Sequence, residues 1–243
     1  MNLTYNDLRY VVQRLPRDIR DLLSENPGKL FLGGGFIRAT IAGETPSDID
    51  LFGHDAAVLE SIATILADRR GANGERVKKH KSDNAITLLT ADRLPIQFIT
   101  RWTFETAEQL VASFDFTVCQ AAIWRGGNKS NDPWCSATGE AFYVDLAGRR
   151  LVYTSPVRVE EAGGSLLRVI KYVKRGYSIQ VSSLGAVVAR LVTSLRPDSH
   201  MLADEAGTAQ VLVGLLREVD PMSVIDGLDV ADDHEPANAE DAS

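Results

Sequence analysis

The stretch Leu30-Phe31-Leu32-Gly33-Gly34-Gly35-Phe36-Ile37-Arg38-Ala39, followed by Ser47-Asp48-Ile49-Asp50-Leu51, decides how the chain is read. An apolar run enters three glycines, a short helical segment follows, and a second apolar run carries two acids one residue apart. Side chains alternate faces along a strand, so Asp48 and Asp50 share one face while Ile49 and Leu51 turn into the core. Two carboxylates on one face suit a hard divalent cation, which takes one or two carboxylates plus the phosphates of a substrate. Two such ions, about 3.5 to 4 Å apart, stabilise both the attacking and the leaving oxygen of a phosphoryl displacement. Glycines let backbone N–H groups approach an anion at a helix start, where the helix dipole favours negative charge. Arg38, one turn later, can add a charge-assisted hydrogen bond.

Working outward, residues 4 to 24 place Leu8, Val11, Val12, Leu15, Ile19, Leu22 and Leu23 at helical spacing, with Pro16 splitting the run into two helices. Lys29–Leu32 predicts a first strand, Phe36–Ala42 a short helix closed by Gly43, and Ser47–Phe52 a second strand. Residues 55 to 69 predict an amphipathic helix with Val58, Leu59, Ile62, Ile65 and Leu66 inward. Ala85–Thr90 and Leu94–Thr100 read as a hairpin, and Tyr143–Val152 as two short strands around Gly148. The resulting β-α-β-α-β-β order predicts a short, mixed sheet. Residues 125 to 140 read as a loop or β-connection. A strong helix runs from Gly164 to Tyr177, with Leu167, Ile170 and Val173 on one side and Arg168, Lys171 and Arg175 on another. Two weakly amphipathic helices follow at 184 to 195 and 208 to 219.

Composition narrows the function classes. A chain of 243 residues, 44% hydrophobic and 24% charged, is ordinary globular material. Its net charge of −7 argues against wide, non-specific duplex binding, which needs many Lys and Arg contacts to phosphate. A local basic groove remains compatible with it. Cys119 and Cys135 have no zinc-like spacing and are expected to be reduced, buried thiols of a cytoplasmic protein. No signal pattern or membrane-length apolar run is present, so no membrane partner is expected. The stretch from about Asp226 is acidic and lacks aromatics, a composition that predicts disorder.

Gly34-Gly35-Phe36-Ile37-Arg38 followed by Asp48-Ile49-Asp50 resembles the signature of the class II tRNA nucleotidyltransferase and bacterial poly(A) polymerase group. Asp115-Phe116-Thr117 resembles a second motif of that group, and Leu166–Tyr177 resembles the helix that closes its head-and-neck region. The resemblance spans about residues 29 to 179, in order and with spacing kept. It implies an α+β fold with three parts: a nucleotidyltransferase head domain over 1–155, a helical neck-like region over 156–222 and the acidic tail over 223–243. It also implies a triphosphate on Gly34 and Gly35, and Mg2+ or Mn2+ on the catalytic pair Asp48 and Asp50. Arg38 would lie near the triphosphate, Asp115 near the sugar, and Arg168 with Lys171 on the nucleotide's phosphate side. The partners implied are an NTP and an acceptor that is an RNA 3′ end, a small molecule or a protein; the oligomeric state stays open.

The departures carry information too. The group's acid after the arginine is Ala39 here, and the arginine before its Asp-Phe-Thr element is Phe114. Its base-reading Glu-Asp-x-x-Arg motif reads Glu161-Ala162-Gly163-Gly164-Ser165, which retains only the glutamate and argues against full CCA addition. Gln97 stands where many related enzymes carry a third carboxylate. The dense basic run Arg76, Lys78, Lys79, His80, Lys81 reads as an exposed sheet edge ahead of a nucleic-acid guide. Trp102, Trp124 and Trp134 read as core packing. The sequence thus predicts a magnesium-dependent transfer of a nucleoside monophosphate, with a non-catalytic nucleotide-binding or interaction module of the same fold as the alternative.

Overall fold

The computed structural model describes residues 1–127, 133–156, 162–194 and 205–217. The two N-terminal helices, α1 (Tyr5–Arg14) and α2 (Arg17–Glu25), are separated at Pro16 as the sequence predicts. Thr4 caps α1 by accepting from the Asp7 N–H, and Pro16 supplies the break. Strand β1 (Leu30–Gly33) then leads into α3 (Gly35–Ala42), which ends at Gly43 in the left-handed conformation. Next come β2 (Ile49–Gly53), α4 (Ala56–Ala72), β3 (Val77–Lys81), β4 (Ala85–Thr90) and β5 (Ile96–Ile99). The chain continues through α5 (Ala107–Ser113), a single 3-10 turn (Thr117–Cys119), β6 (Ala121–Arg125) and β7 (Trp134–Thr138).

These seven strands form one sheet in the order β3-β4-β5-β2-β1-β6-β7. Only β2 and β5 pair in parallel; the other neighbours are antiparallel, so the sheet is mixed and the fold α+β. One face presents Leu30, Leu32, Ile49, Leu51, Ile86, Leu88, Ile96 and Phe98 to the apolar sides of α2 and α4. The other face presents Phe31, Phe52, Ala122 and Ala137 to Phe104 and to Leu110 and Val111 of α5. Strand β1 is buried along its whole length because both faces are covered, which is why its sequence reads as a continuous apolar run.

After β7 the chain forms α6 (Phe142–Ala147), β8 (Arg150–Leu151), α7 (Ala162–Lys174), β9 (Ser178–Ile179), α8 (Val181–Thr193) and α9 (Glu205–Arg217). The small strands β8 and β9 pair in parallel. The main core continues from the sheet into α7 and α8 through Val169, Tyr172, Tyr177 and Val187. Among the described residues no helix is long and apolar enough to cross a membrane.

Three local expectations are corrected. Tyr143–Ala147 is helical: Phe142, Asp145 and Leu146 share a buried face at spacings of three and four, and Gly148 ends the helix. In α4 the inward residues are Leu59, Ile62, Ala63 and Leu66, whereas Val58 and Ile65 face outward, 37% and 43% exposed. In α7 the buried positions include Ser165, Val169 and Tyr172, and Val173 is 46% exposed. That helix turns its seam toward a cleft, and polar and aromatic side chains join the aliphatic ones there. Glu161 and the tail over 223–243 lie outside the described residues.

Candidate active site

The glycine turn is built by close approach. Gly34 has φ +69° and ψ −123°, a region of backbone space essentially reserved for glycine, and its N–H donates to the Ala121 carbonyl at 3.0 Å. A Cβ on Gly33 would come within 2.9 Å of the Phe114 and Phe52 rings, and one on Gly34 within 3.1 Å of Phe114. Phe114 therefore occupies the space that the first two glycines vacate. A Cβ on Gly35 would meet only the Asp48 carboxylate, at 4.0 Å, so the third glycine opens the start of α3 toward the acids.

Asp50 stands on β2 between Ile49 and Leu51, both fully buried on the opposite face, and Asp48 immediately precedes the strand. Strand register sets Asp50 opposite Gly33 on one side and opposite Gln97 on the other. The row continues through Thr87 to His80, because Gln97 pairs Thr87 and Thr87 pairs His80. Residues directly opposed in a ladder share a face, so this polar row runs on one face from the glycine turn to the sheet edge. The same register sorts the basic run. Lys79 and Lys81 reach Thr64 and Glu60 of α4 on the far face, leaving Lys78 and His80 on the face of Asp50. Strand β3 is indeed an exposed edge.

A cleft of about 200 Å³ opens above this row. Gly34, Gly35, Arg38, Asp48, Asp50, Asp115, Arg168 and Lys171, the residues singled out from the sequence, all line it. Gln97, Asn84 and Trp102 line it as well. Trp102 packs against the second apolar cluster, as Trp124 does edge-on to Phe31, and also lines the cleft, with the Arg101 guanidinium 5.3 Å from its ring centre; Trp134 packs against the main core under Arg125. The wall opposite the acids is α7. Asp115 accepts from Ser165 Oγ at 2.8 Å and from Arg168 Nη1 at 2.7 Å, and Lys171 Nζ donates to Ser47 Oγ at 3.2 Å, next to Asp48. Ser165, the residue in place of the resembled group's arginine, was not a sequence candidate; its substitution was visible, but its partner was not.

Arg38 lies at the floor, its side chain 1% exposed and paired with Glu44. Nη1 also donates to the Tyr177 hydroxyl at 3.1 Å, and the guanidinium carbon sits 4.8 Å from the centre of the Tyr172 ring. Burial alone would lower its pKa, but the surrounding Tyr172, Cys119, Tyr177 and Glu44 hold it above its ordinary value, so the charge is permanent. Burial pushes the Tyr172 phenol well up and the Cys119 thiol up; the two meet at 2.9 Å. Neither cysteine is in a disulfide. Cys119 is buried, while Cys135 is only half-buried, a correction to the expectation for that thiol.

Among the described residues no three His, Cys, Asp or Glu side chains gather into a closed metal cage. Two carboxylates on an open cleft instead fit an ion that takes its remaining ligands from water or phosphate.

Several solved structures share this fold. The Thermotoga maritima CCA-adding enzyme complexed with tRNA(CCA) is 18% identical, with a TM-score of 0.53 over 86% of this chain and 50% of its own. A CCA-adding enzyme complexed with CTP is 17% identical, with a TM-score of 0.52 over 76% of this chain and 46% of its own. A CCA-adding enzyme complexed with ATP is also 17% identical, with a TM-score of 0.51 over 87% and 55%. At these identities the likeness shows the nucleotidyltransferase fold, and the chain spans about half the length of the enzymes it matches. No curated protein matches the sequence. The model of one protein family matches residues 3–149, which hold both glycine turn and acids: the chain belongs to the Gabija anti-defense 2 (Gad2) family.

Proposed function

We propose that this protein is a nucleotidyltransferase that moves a nucleoside monophosphate from an NTP to an acceptor hydroxyl, with pyrophosphate leaving. The observation that carries the reading is that the glycine turn, both acids and the cations of α7 line one cleft. In this reading Asp48 and Asp50 hold Mg2+ or Mn2+, which would neutralise charge on the phosphates and on the attacking oxygen. The start of α3 at Gly34 and Gly35 receives the triphosphate, Arg168 and Lys171 flank it, and Asp115 meets the sugar. Positioning and charge neutralisation provide most of the rate.

Within that reading, residues 1–155 act as a head of the class II tRNA nucleotidyltransferase type and 156–222 as a reduced neck, in a cytoplasmic protein. The acceptor is an RNA 3′ end, a small molecule or a protein. Lys78 and His80, on the face of Asp50, favour an anionic acceptor, and the family's anti-defense name supports an action against Gabija. A second reading, a nucleotide-binding protein that acts without transfer, is favoured by Gln97, which faces Asp50 where an acid would share metal charge.

The experiment incubates the protein with Mg2+ and each α-labelled NTP, with cellular RNA or lysate as acceptor, beside an Asp48→Asn/Asp50→Asn variant. Transfer by the wild type alone is the expected result. A wild type that binds nucleotide, labels nothing and releases no pyrophosphate leaves only the second reading.

A further inference from the structure

Arg38 is placed as a joint between two walls. It stands on the first turns of α3, and its carboxylate partner reaches it because Gly43 (φ +71°) turns the chain back, with the Glu44 N–H donating to the Ala39 carbonyl at 2.8 Å. The acid that the resembled group carries at position 39 is thus replaced by one arriving from beyond the helix, and the Ala39 methyl is fully buried. The remaining partners come from the opposite wall. Tyr172 belongs to α7 and Tyr177 follows it, with ring centres 4.8 Å and 5.5 Å from the guanidinium carbon. Arg149 closes the cage, 5.7 Å from the Tyr177 ring centre and 3.7 Å from Glu44.

We propose that Arg38 is a positioning residue that clamps α7 to α3 and so sets Arg168 and Lys171 over the glycine turn, acting on the nucleotide through that helix. The assignment rests on the nucleotide reading of the cleft. Three physical points support it. A buried guanidinium is retained when its charge is paired, and Glu44 and the Tyr177 hydroxyl together take Nη1. Two aromatic faces add attraction that a compact ammonium cannot match in the same planar geometry. Tyr172 lies four residues after Arg168, hence one turn along the same side of α7, so fixing the ring fixes the helix rotation that aims Arg168 at Asp115.

The rival is direct contact between Arg38 and a phosphate, since Arg38 lines the cleft and its buried Nε has no hydrogen-bond partner among the described residues. The two differ in what the tyrosine does. The test compares Arg38→Lys, Tyr177→Phe, Glu44→Gln and the Arg38→Lys/Tyr177→Phe pair, using amide hydrogen exchange without nucleotide and titration with Mg-ATP. The clamp expects faster exchange in both α3 and α7 for Tyr177→Phe as for Arg38→Lys. It also expects Mg-ATP affinity to fall about tenfold in each, the scale on which outer supports of a site act, with the pair no worse than the weaker single variant. In transfer assays KM for the NTP rises while kcat moves less. Unchanged exchange in α7 for Tyr177→Phe overturns the clamp, as does an affinity loss confined to Arg38→Lys. A wild type that binds no Mg-ATP refutes the nucleotide reading instead, and the exchange arm still decides the clamp.

Discussion

The two walls of the cleft are made differently. The acid wall is an extension of the sheet: Asp50 is fixed by strands on both sides, and its neighbours Ile49 and Leu51 are fully buried behind it. The α7 wall is held by side chains, through Ser165 and Arg168 on Asp115, Tyr172 and Tyr177 on Arg38, and Lys171 on Ser47. Backbone register tolerates sequence change around it, whereas side-chain contacts must change in concert. That difference lets the acid wall take single changes, such as Gln97 opposite Asp50, while changes on the α7 wall come together, as at Ala162 and Ser165.

The sharpest way to break the comparison is to spare the acid wall's fold and remove its charge. Asp48→Asn/Asp50→Asn is expected to lower transfer by at least about a hundredfold, the scale on which a lost electrostatic partner acts, with the melting temperature nearly unchanged. A pyrophosphate-release assay beside a thermal melt checks both halves. The backbone of the same wall should be far less forgiving. Gly34→Ala places a Cβ at φ +69° and 3.1 Å from Phe114, and is expected to cost about 3 kcal/mol, measured by denaturant unfolding. Adding Phe114→Ala relieves the contact but not the dihedral, so at least half the loss should remain.

The contrast also marks what was legible in the sequence. The strands, the α3 helix and the Asp48–Asp50 face follow from local periodicity and glycine punctuation, which need no knowledge of distant residues. The α6 segment reads as strand because Tyr143 and Val144 favour extended chain, while the decisive burial of Phe142, Asp145 and Leu146 comes from tertiary packing. All the site candidates face one cleft, yet their pairing was hidden. Nothing local joins Asp115 to Ser165, fifty residues apart, or Arg38 to Tyr177. Glu44 was hidden for a subtler reason: replacement of an acid by Ala39 reads as a loss until the left-handed turn at Gly43 brings another back.

On the α7 wall a single hydroxyl should matter. Ser165→Ala removes a donor from a buried carboxylate and is expected to cost about 1.5 to 3 kcal/mol, the range for hydrogen bonds to charged groups. Ser165→Thr, which keeps the hydroxyl, should recover part of it; equal losses would show that packing at this step governs the wall. The wall should also be the part that weakens in alkali. Burial raises the pKa of Cys119, Tyr172 and Tyr177, so the unfolded chain loses these protons first. Stability is then complete below the ordinary thiol and phenol values, about 9 and about 10, and falls as pH rises above them. Exchange rates of α7 measured across pH 8 to 11 should rise before those of β1 and β2.

The smallest effect belongs to the outer end of the acid wall. Lys78 and His80 sit at the sheet edge, exposed, three strands away from Asp50 along the row through Thr87 and Gln97. A neutralising pair, Lys78→Gln/His80→Gln, leaves the cleft untouched. If an anionic acceptor runs along this row, its affinity should fall only a few-fold, and the dependence of log K on log salt should lose about one unit for each phosphate contact removed. Lys79→Gln/Lys81→Gln, tied to α4 on the other face, serves as the matched control and should leave the slope unchanged. Equal changes in both pairs would mean that the edge acts by total charge alone, and that the row from Asp50 ends at Gln97.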